Sequence, residues 1–210
     1  MRALITALTV AFASVAGYVP GAFAQDAGVQ LSAAVGGAFG ADDSSAALNV
    51  AGATQLTTHA GVEVEVSYFP DQRFRNNREF VPQIFPAPPP GSTTTTGRTL
   101  AVLGSFVASL PRDRVRPYAQ IGGGMANVRH RIHGGVAGPG GSLDPQVAET
   151  VFMTVSDTTP ALSAGGGVEV RVWRHLAVGA DVRYMRLLTE VRDLEIANLT
   201  RFGARLSYRF

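Results

Sequence analysis

Short segments of alternating apolar and polar residues dominate the chain after about residue 25. In Gly61 to Phe69, apolar residues alternate with Glu63, Glu65 and Ser67, and Leu199 to Phe210 alternates in the same way. Side chains of a strand point to opposite faces in turn, and no segment sustains the 3.6-residue period of a helix. The pattern predicts strands with one apolar and one polar face. Further examples are Val29 to Phe39, Thr99 to Leu110, Ala161 to Val172, Leu176 to Leu188 and, less regularly, Arg116 to Arg131.

An eighth strand is predicted at Ser45 to Ala53, although its Ala-rich sequence has poor strand propensity. Single-chain membrane barrels carry an even number of antiparallel strands, so seven clear segments require one more. The predicted architecture is an all-β, up-and-down, eight-stranded antiparallel barrel.

The connections between these segments fall into two sets. Short links are predicted near residues 54–58, 111–114 and 173–175, and long ones at Pro70 to Gly97 and His133 to Thr159. Short turns at one end and long loops at the other are typical of transmembrane β-barrels. We therefore expect two long external loops.

The N-terminus has the three parts of a secretory signal. Arg2 is followed by the apolar run Ala3 to Ala16 and by the small-x-small motif Ala22-Phe23-Ala24. The apolar run is shorter than the roughly 20 residues of a membrane-spanning helix. We expect a cleaved signal peptide at residues 1–24 and an outer-membrane barrel domain at residues 25–210.

Composition narrows the classes of partner and of scaffold. The chain has no cysteine, so an exported protein of this sequence needs a hydrogen-bonded scaffold in place of disulfides. Its formal net charge is only +2 and its arginines are scattered, which argues against a nucleic-acid partner.

Charges and small residues on the polar face indicate that it lines a narrow lumen. Gly165 and Gly167 are examples of the small residues, which a water-exposed surface would not require. The charges have both signs and could form an internal ion-pair network. The predicted lumen network consists of Glu63, Glu65, Glu169, Arg171, Asp181, Arg183, Arg201, Arg205 and Arg209.

Aromatic residues gather near the predicted strand ends, as they do at the two interfaces of a membrane. One set, at the short-turn end, is Tyr118, Trp173, Tyr208 and Phe210; the other, toward the long loops, is Phe39, Tyr68, Phe69, Tyr184 and Phe202. The apolar face is therefore expected to meet lipid.

Three motifs resemble the outer-membrane β-barrel domain family of the OmpA transmembrane type. They are Arg116-Pro-Tyr-Ala-Gln-Ile-Gly-Gly-Gly124, Gly165 to Tyr184 with its tight turn, and Leu206-Ser-Tyr-Arg-Phe210. The resemblance implies location in the outer membrane of a Gram-negative bacterium, with membrane lipid as its surroundings. It also implies a carboxy-terminal signal, Tyr208 and Phe210, that the barrel-assembly machinery reads. We expect no peptidoglycan-binding domain after Phe210, and the sequence identifies no surface partner.

Catalytic and metal-binding patterns are weak. His130 and His133 are three residues apart, which places them on opposite faces of a strand, and no cysteine or nearby carboxylate completes a ligand set. Glu169 and Asp181 could act as an acid and a base, but Arg171 and Arg183 offer each a partner. No Ser–His pair suggests a hydrolase. We expect no enzyme activity, no metal and no cofactor.

The sequence thus favours a non-enzymatic integral outer-membrane barrel with a structural or surface-interaction role. The alternative is a narrow channel for small or apolar solutes, which the small residues of the polar face would allow. A third reading is an exported soluble β-protein such as a lectin, since a soluble barrel has the same period with its apolar residues inside.

Overall fold

The computed structural model describes residues 28–40, 43–74, 93–110, 112–134, 150–188 and 198–210. They form eight strands in one closed barrel. The predicted signal peptide, residues 1–24, lies outside the described residues. The strands are β1 (Val29–Gly40), β2 (Asp43–Gln55), β3 (Ala60–Phe74), β4 (Thr93–Ser109), β5 (Val115–Gly134), β6 (Thr150–Arg171), β7 (Leu176–Leu187) and β8 (Asn198–Arg209).

Every strand is antiparallel to its chain neighbours, and the sheet closes between β1 and β8. The closing register runs from Gln30 opposite Arg209 to Phe39 opposite Thr200. Closure removes the free edges that would leave backbone N–H and C=O groups unpaired in lipid. The prediction of an eight-stranded up-and-down barrel is confirmed. Within the described part of the chain, no helix has the length and apolar character needed to cross a membrane.

The weakly predicted second strand is present and is longer than its sequence suggested, Asp43–Gln55. Its alternation is hidden because its inward residues include Ala47 and Ala51, which are small and buried. Leu48 and Val50 point outward, with about half of each side chain exposed. Pairing with β1 on one side and β3 on the other stabilises β2, although its residues have a low intrinsic strand propensity.

One wall of the barrel is much taller than the other. Strands β4, β5 and β6 have 17, 20 and 22 residues, whereas β1, β7 and β8 have 12 each. A transmembrane strand needs about 9–11 residues, so the tall wall extends beyond the membrane. The predicted long loops, residues 70–97 and 133–159, were therefore too long, because their ends continue the strands. Polar segments such as Thr93 to Thr96 pair above the membrane without any apolar face.

The apolar rows point outward and the polar rows point inward. Val35, Ile121 and Leu206 keep half or more of their side-chain surface exposed, whereas Glu65 is 1% exposed. A soluble barrel with an apolar interior would show the reverse. In a membrane these exposed side chains form a belt that contacts lipid tails.

Aromatic residues occupy both edges of this belt, with two corrections. Phe39 stacks on Phe202 at 5.2 Å between ring centroids toward the long connections, and Tyr208 contacts Phe210 at 5.0 Å at the other end. Phe69 does not belong to the outer set, because its side chain is 3% exposed inside the barrel. Tyr118 also faces inward, since it shares the face of Arg116 and the buried Gln120.

Candidate functional site

The lumen holds a set of ion pairs that join opposite walls of the barrel. Glu63 and Glu65 of β3 reach arginines of β7 and β8. Arg183 Nη2 lies 2.9 Å from Glu63 Oε1, and Arg201 Nη1 lies 2.8 Å from Glu65 Oε1. Arg183 also pairs with Glu65, and Arg205 pairs with Glu63. The alternation of β3 thus sends two carboxylates to the same interior face, where each bridges two guanidinium groups.

Asp181 and Glu169 extend the set along β7 and β6. Arg201 Nη2 donates to Asp181 Oδ2 at 2.7 Å, and Arg205 Nε lies 3.4 Å from Glu169 Oε1. Arg116 approaches the same Glu169 at 3.8 Å. Among the described residues, four carboxylates and four guanidinium groups form these ion pairs, so the charges of this set balance. These eight residues, here called the charged layer, are Glu63, Glu65, Glu169, Asp181, Arg116, Arg183, Arg201 and Arg205.

Neutral side chains add hydrogen bonds to the charged layer. The Ser207 hydroxyl donates to Glu169 at 2.8 Å, and the Ser32 hydroxyl accepts from Arg205 at the same distance. The Tyr118 hydroxyl accepts from Arg205 at 3.3 Å, and the guanidinium carbon lies 5.4 Å from the ring centroid. Buried charges are tolerated when they are paired and hydrogen-bonded. Each charged group of the layer has a partner of opposite charge, while some of its buried atoms, such as Asp181 Oδ1, Arg183 Nε and Arg201 Nε, have no hydrogen-bond partner among the described residues.

The structure brings together seven of the nine residues predicted for this network and leaves out Arg171 and Arg209. Arg171 is exposed, and Arg209 donates to Gln30 Oε1 at 3.3 Å without a carboxylate partner among the described residues. Both lie where the lumen opens at the short-turn end, so water can solvate them. Arg171 and Arg183 were expected to offer partners to Glu169 and Asp181. In the structure Arg116 and Arg205 reach Glu169, Arg201 reaches Asp181, and Arg183 pairs with Glu63 and Glu65 across the lumen.

Arg116 and Tyr118 belong to this site and were missed. Their face could not be assigned from sequence because the following glycines, Gly122 to Gly124, blur the alternation. A usable signal was present: Arg116, Tyr118 and Gln120 alternate with Pro117, Ala119 and Ile121. Gly167 makes room for the tyrosine, since a Cβ there would lie 2.8 Å from the Tyr118 hydroxyl oxygen.

Toward the long connections, the lumen is filled by apolar side chains, which the alternation of the sequence does not predict. Leu103 and Val128 are at most 1% exposed, and Phe69 packs in the same cluster. We call this cluster the apolar layer. Its members are Ala38, Ala47, Phe69, Ala101, Leu103, Ala126, Val128, Ala161, Met185, Leu187 and Leu199.

The open space in the lumen narrows sharply from the short-turn end. A vestibule of about 390 Å³ lies there, between Arg114, Arg171 and Arg209. Deeper, beside Tyr118 and Arg205, a space of about 20 Å³ remains. That volume is near the minimum needed to hold one water molecule.

The candidate catalytic and metal-binding residues have the following positions. His130 and His133 lie within β5 and not in an irregular loop, and their side chains are outside the described residues. In the part of the chain that is described, no three His, Asp or Glu side chains form a metal-binding group. Glu169 and Asp181 are each engaged by arginine. His175 is exposed, with Nδ1 2.9 Å from the Arg209 carbonyl oxygen.

Solved structures of the same architecture come from several bacteria. A major outer membrane protein from Thermus thermophilus aligns with a TM-score of 0.62 and 11% identity, over 87% of this chain and 99% of that one. Neisserial surface protein A aligns with a TM-score of 0.51 and 15% identity, over 89% and 98%. Ail, the attachment invasion locus protein of Yersinia pestis, gives a TM-score of 0.49 and 12% identity, over 88% and 97%. At 11% and 15% identity, the likeness to the first two structures shows the fold alone.

Sequence comparison gives the family. No curated protein sequence matches the chain. The family model described as outer membrane protein beta-barrel domain matches residues 3–210, nearly the whole chain. Together with the closed eight-stranded barrel and its apolar outer belt, this match places the protein in the bacterial outer membrane. The chain belongs to the outer membrane protein beta-barrel domain family.

Proposed function

We propose that this protein is a non-enzymatic outer-membrane barrel with a closed lumen, and that its role is structural or in surface interaction. The observation that carries the proposal is the filling of the lumen by two successive layers. The charged layer links β3 to β7 and β8, and the apolar layer follows it toward the long connections. A solute that crossed the lumen would have to break the ion pairs of the charged layer and displace the side chains of the apolar layer.

The competing function is a narrow channel for small or apolar solutes. An apolar solute would meet paired charges, and an ion would meet the apolar layer, where it would lose its hydration without compensation. The space of about 20 Å³ beside Tyr118 admits neither without rearrangement. The lumen is therefore better suited to supporting the wall than to conducting.

Planar-bilayer recording tests the closed lumen. The folded protein is expected to give no steady single-channel steps at concentrations where a porin does. Heat-modifiable gel migration of the same sample is the control for folding, since closed barrels resist unfolding until boiled. Steady ion steps from folded protein would refute the closed-lumen proposal.

Surface interaction is supported by the tall wall. It carries the connection between β3 and β4, residues 75–92, and the connection between β5 and β6, residues 135–149. Because β4 pairs with β5, the two connections start from adjacent strands. Both segments are thus attached to the part of the barrel that extends beyond the membrane.

The orientation of this wall can be tested by labelling, because the chain has no cysteine of its own. Ser142→Cys places one thiol in the β5–β6 connection, and Thr58→Cys places one in the short turn between β2 and β3. A membrane-impermeant maleimide is expected to label the first variant on intact cells and the second only after lysis. The opposite pattern would mean that the short turns face outward.

Tyr208 and Phe210 are proposed to act as the signal for the barrel-assembly machinery. Both point away from the lumen and are accessible, at 45% and 67% exposure. Phe210→Ala is expected to lower the amount of folded barrel in outer membranes while purified protein still folds in detergent. An equal loss in both settings would make Phe210 a packing residue only.

A further inference from the structure

The vestibule at the short-turn end is lined by more positive than negative charge. Its described charged residues are Arg114, Arg116, Arg171, Arg209, Asp113 and Glu169, and its other lining residues are neutral. The described lining therefore has an excess of two positive charges around a space of about 390 Å³. A concave surface dominated by one sign of charge concentrates ions of the opposite sign. The charge pattern of the vestibule favours an anionic ligand.

Strand pairing brings three of these arginines to the same cavity. The backbone N–H of Arg171 donates to the Arg114 carbonyl oxygen at 2.8 Å, which places the end of β6 beside the residue that precedes β5. Arg209 lies on β8, on the far side of β7. The β7 residue opposite Arg171 is Ala177, which also lines the vestibule. Because the Ala177 side chain is small, space remains between Arg171 and Arg209.

The protein supplies few acceptors for these guanidinium groups. Arg209 Nη2 donates to Gln30 Oε1 at 3.3 Å, and the same neutral oxygen accepts from Arg116 Nη1 at 3.2 Å. The buried Arg116 Nε has no hydrogen-bond partner among the described residues. In the same part of the chain, neither Arg114 nor Arg171 has an ion-pair partner. Several N–H donors of the vestibule therefore lack an acceptor from the described protein.

A phosphate group matches both the charge and the donors of the vestibule. An esterified phosphate carries about −1.5 to −2 charges at pH 7, which is close to the excess of the lining, and it has three strong acceptor oxygens. Guanidinium groups bind such oxygens through two parallel hydrogen bonds, and the three oxygens can accept from groups on different strands. The volume of the vestibule lies in the range of about 300–1,000 Å³ that is typical of small-molecule sites. It therefore has room for an organic part as well as the phosphate.

We propose that the vestibule binds the phosphate group of a small solute through Arg114, Arg171 and Arg209. The solute enters from the short-turn end and stops at Arg116 and Glu169, where the charged layer begins. Binding requires no passage through the barrel, so this site does not depend on whether the lumen is closed. A bilayer recording and a binding measurement therefore test the two proposals separately.

The test is calorimetric titration of the folded protein, residues 25–210, with glycerol 3-phosphate in non-ionic detergent, which leaves both ends of the barrel accessible. R114Q/R171Q removes two arginines of the vestibule, and R112Q/R174Q removes two exposed arginines at the same end that do not line it. We expect binding about tenfold weaker for the first variant and unchanged binding for the second. Equal loss in both variants, or no measurable binding to wild-type protein, would overturn the proposal. Heat-modifiable gel migration checks that all three proteins are folded.

Two further ligands identify the chemistry that is recognised. Inorganic phosphate should bind wild-type protein more weakly than glycerol 3-phosphate, because it leaves part of the vestibule unfilled; tighter binding of inorganic phosphate would support the phosphate site with free phosphate as its ligand. Succinate carries two charges on separate carboxylates and should bind about tenfold more weakly than the phosphate ester. Equal binding of succinate would overturn phosphate recognition.

Asp26 is the one candidate occupant from the chain itself, because it is two residues before Gly28 of the lining and lies outside the described residues. If the vestibule is open to solutes, Asp26→Asn should bind glycerol 3-phosphate as the wild-type protein does. Binding about tenfold tighter to D26N would mean that this carboxylate fills the site in the wild-type protein, and it would overturn the proposal.

Discussion

The charged layer and the apolar layer fill the same lumen by different physical means. In the charged layer each guanidinium group pairs with one or two carboxylates. Glu65, for example, pairs with both Arg183 and Arg201. In the apolar layer, side chains such as Leu103 contribute by contact and need no particular partner. The first is a network in which each group depends on its neighbours, whereas the second is a packed volume.

This difference determines how each layer responds to damage. Loss of one member of a buried ion network leaves a charge that lipid and apolar walls cannot solvate, so the cost extends beyond the lost contact. Loss of a methyl group from a packed layer costs only its transfer energy and the cavity left behind. We therefore expect substitutions in the charged layer to have larger effects for smaller changes in shape.

The largest effect is expected for Glu65→Gln, which keeps the shape of the side chain and removes its charge. Arg183 and Arg201 are opposite each other in register and share Glu65. Without this carboxylate Arg183 keeps Glu63 and Arg201 keeps Asp181, and one positive charge in the lumen is left uncompensated. The free energy of unfolding should fall by about 3–5 kcal/mol. Urea unfolding in lipid vesicles, followed by gel migration, measures this loss.

Arg171→Gln is the matched control, since it removes a charge from the same interior face outside the network. Its effect should stay within about 0.5 kcal/mol, as for an ordinary exposed site. The double variant E65Q/R183Q should be less destabilised than the sum of its single variants, because it also removes the uncompensated positive charge. Similar losses in the free energy of unfolding for E65Q and R171Q would show that the ion-pair network does not stabilise the barrel more than an isolated charge does.

A smaller loss is expected for Leu103→Ala in the apolar layer, about 3 kcal/mol in the free energy of unfolding. Leu103 is 1% exposed inside the barrel, so lipid cannot fill the cavity that its truncation leaves. Its neighbour Val102 is 46% exposed on the outer face, where lipid can fill the space. Val102→Ala should therefore cost about 1 kcal/mol or less. The same urea titration applies to both variants.

The L103A protein also separates the two layers in bilayer recordings. It should still give no ion steps, because the charged layer below the cavity is intact. If L103A gave single-channel current steps and the wild-type protein gave none, the apolar layer alone would close the lumen.

The barrel itself was predictable because a sheet that crosses a membrane needs an apolar outer face and closure without free edges. The alternation along each strand reflects the first requirement, and the even number of strands reflects the second. The strand at Ser45 to Ala53 is predicted more from parity than from its own residues, and the structure has a strand there from Asp43 to Gln55. Strand ends on the tall wall were missed, because Thr93 to Thr96 pair in water, where no apolar face is required. Hydrophobic periodicity marks what meets lipid, and it says little about paired strands beyond the membrane.

Charged residues of the lumen were identified from their face, but their partners were not. Ion pairing depends on the register between strands and on distances across the barrel, and the sequence of a single strand contains neither. Asp181, for example, binds Arg201 of β8 and not Arg183 of its own strand. The apolar layer was missed for another reason. Ala101 and Leu103 point inward beside the outward Val102, so both faces of β4 are apolar there and the alternation disappears.

A smaller effect than for Glu65→Gln or Leu103→Ala is expected for Tyr118→Phe at the edge of the charged layer. The change removes one acceptor of Arg205, which keeps its contacts with Ser32, Glu63 and Glu169. The aromatic ring remains under the guanidinium, so the cation–π contact is kept. The free energy of unfolding should fall by about 1 kcal/mol, as for one hydrogen bond.

Tyr208→Phe is the control for this last substitution, because Tyr208 faces outward and its ring contacts are independent of the hydroxyl. It should leave the urea midpoint unchanged. A loss for Y118F as large as that for E65Q would mean that the hydroxyl is as essential to Arg205 as a carboxylate is to its partners. The charged layer would then extend to its neutral members, and its contrast with the apolar layer would rest on hydrogen bonding and not on charge.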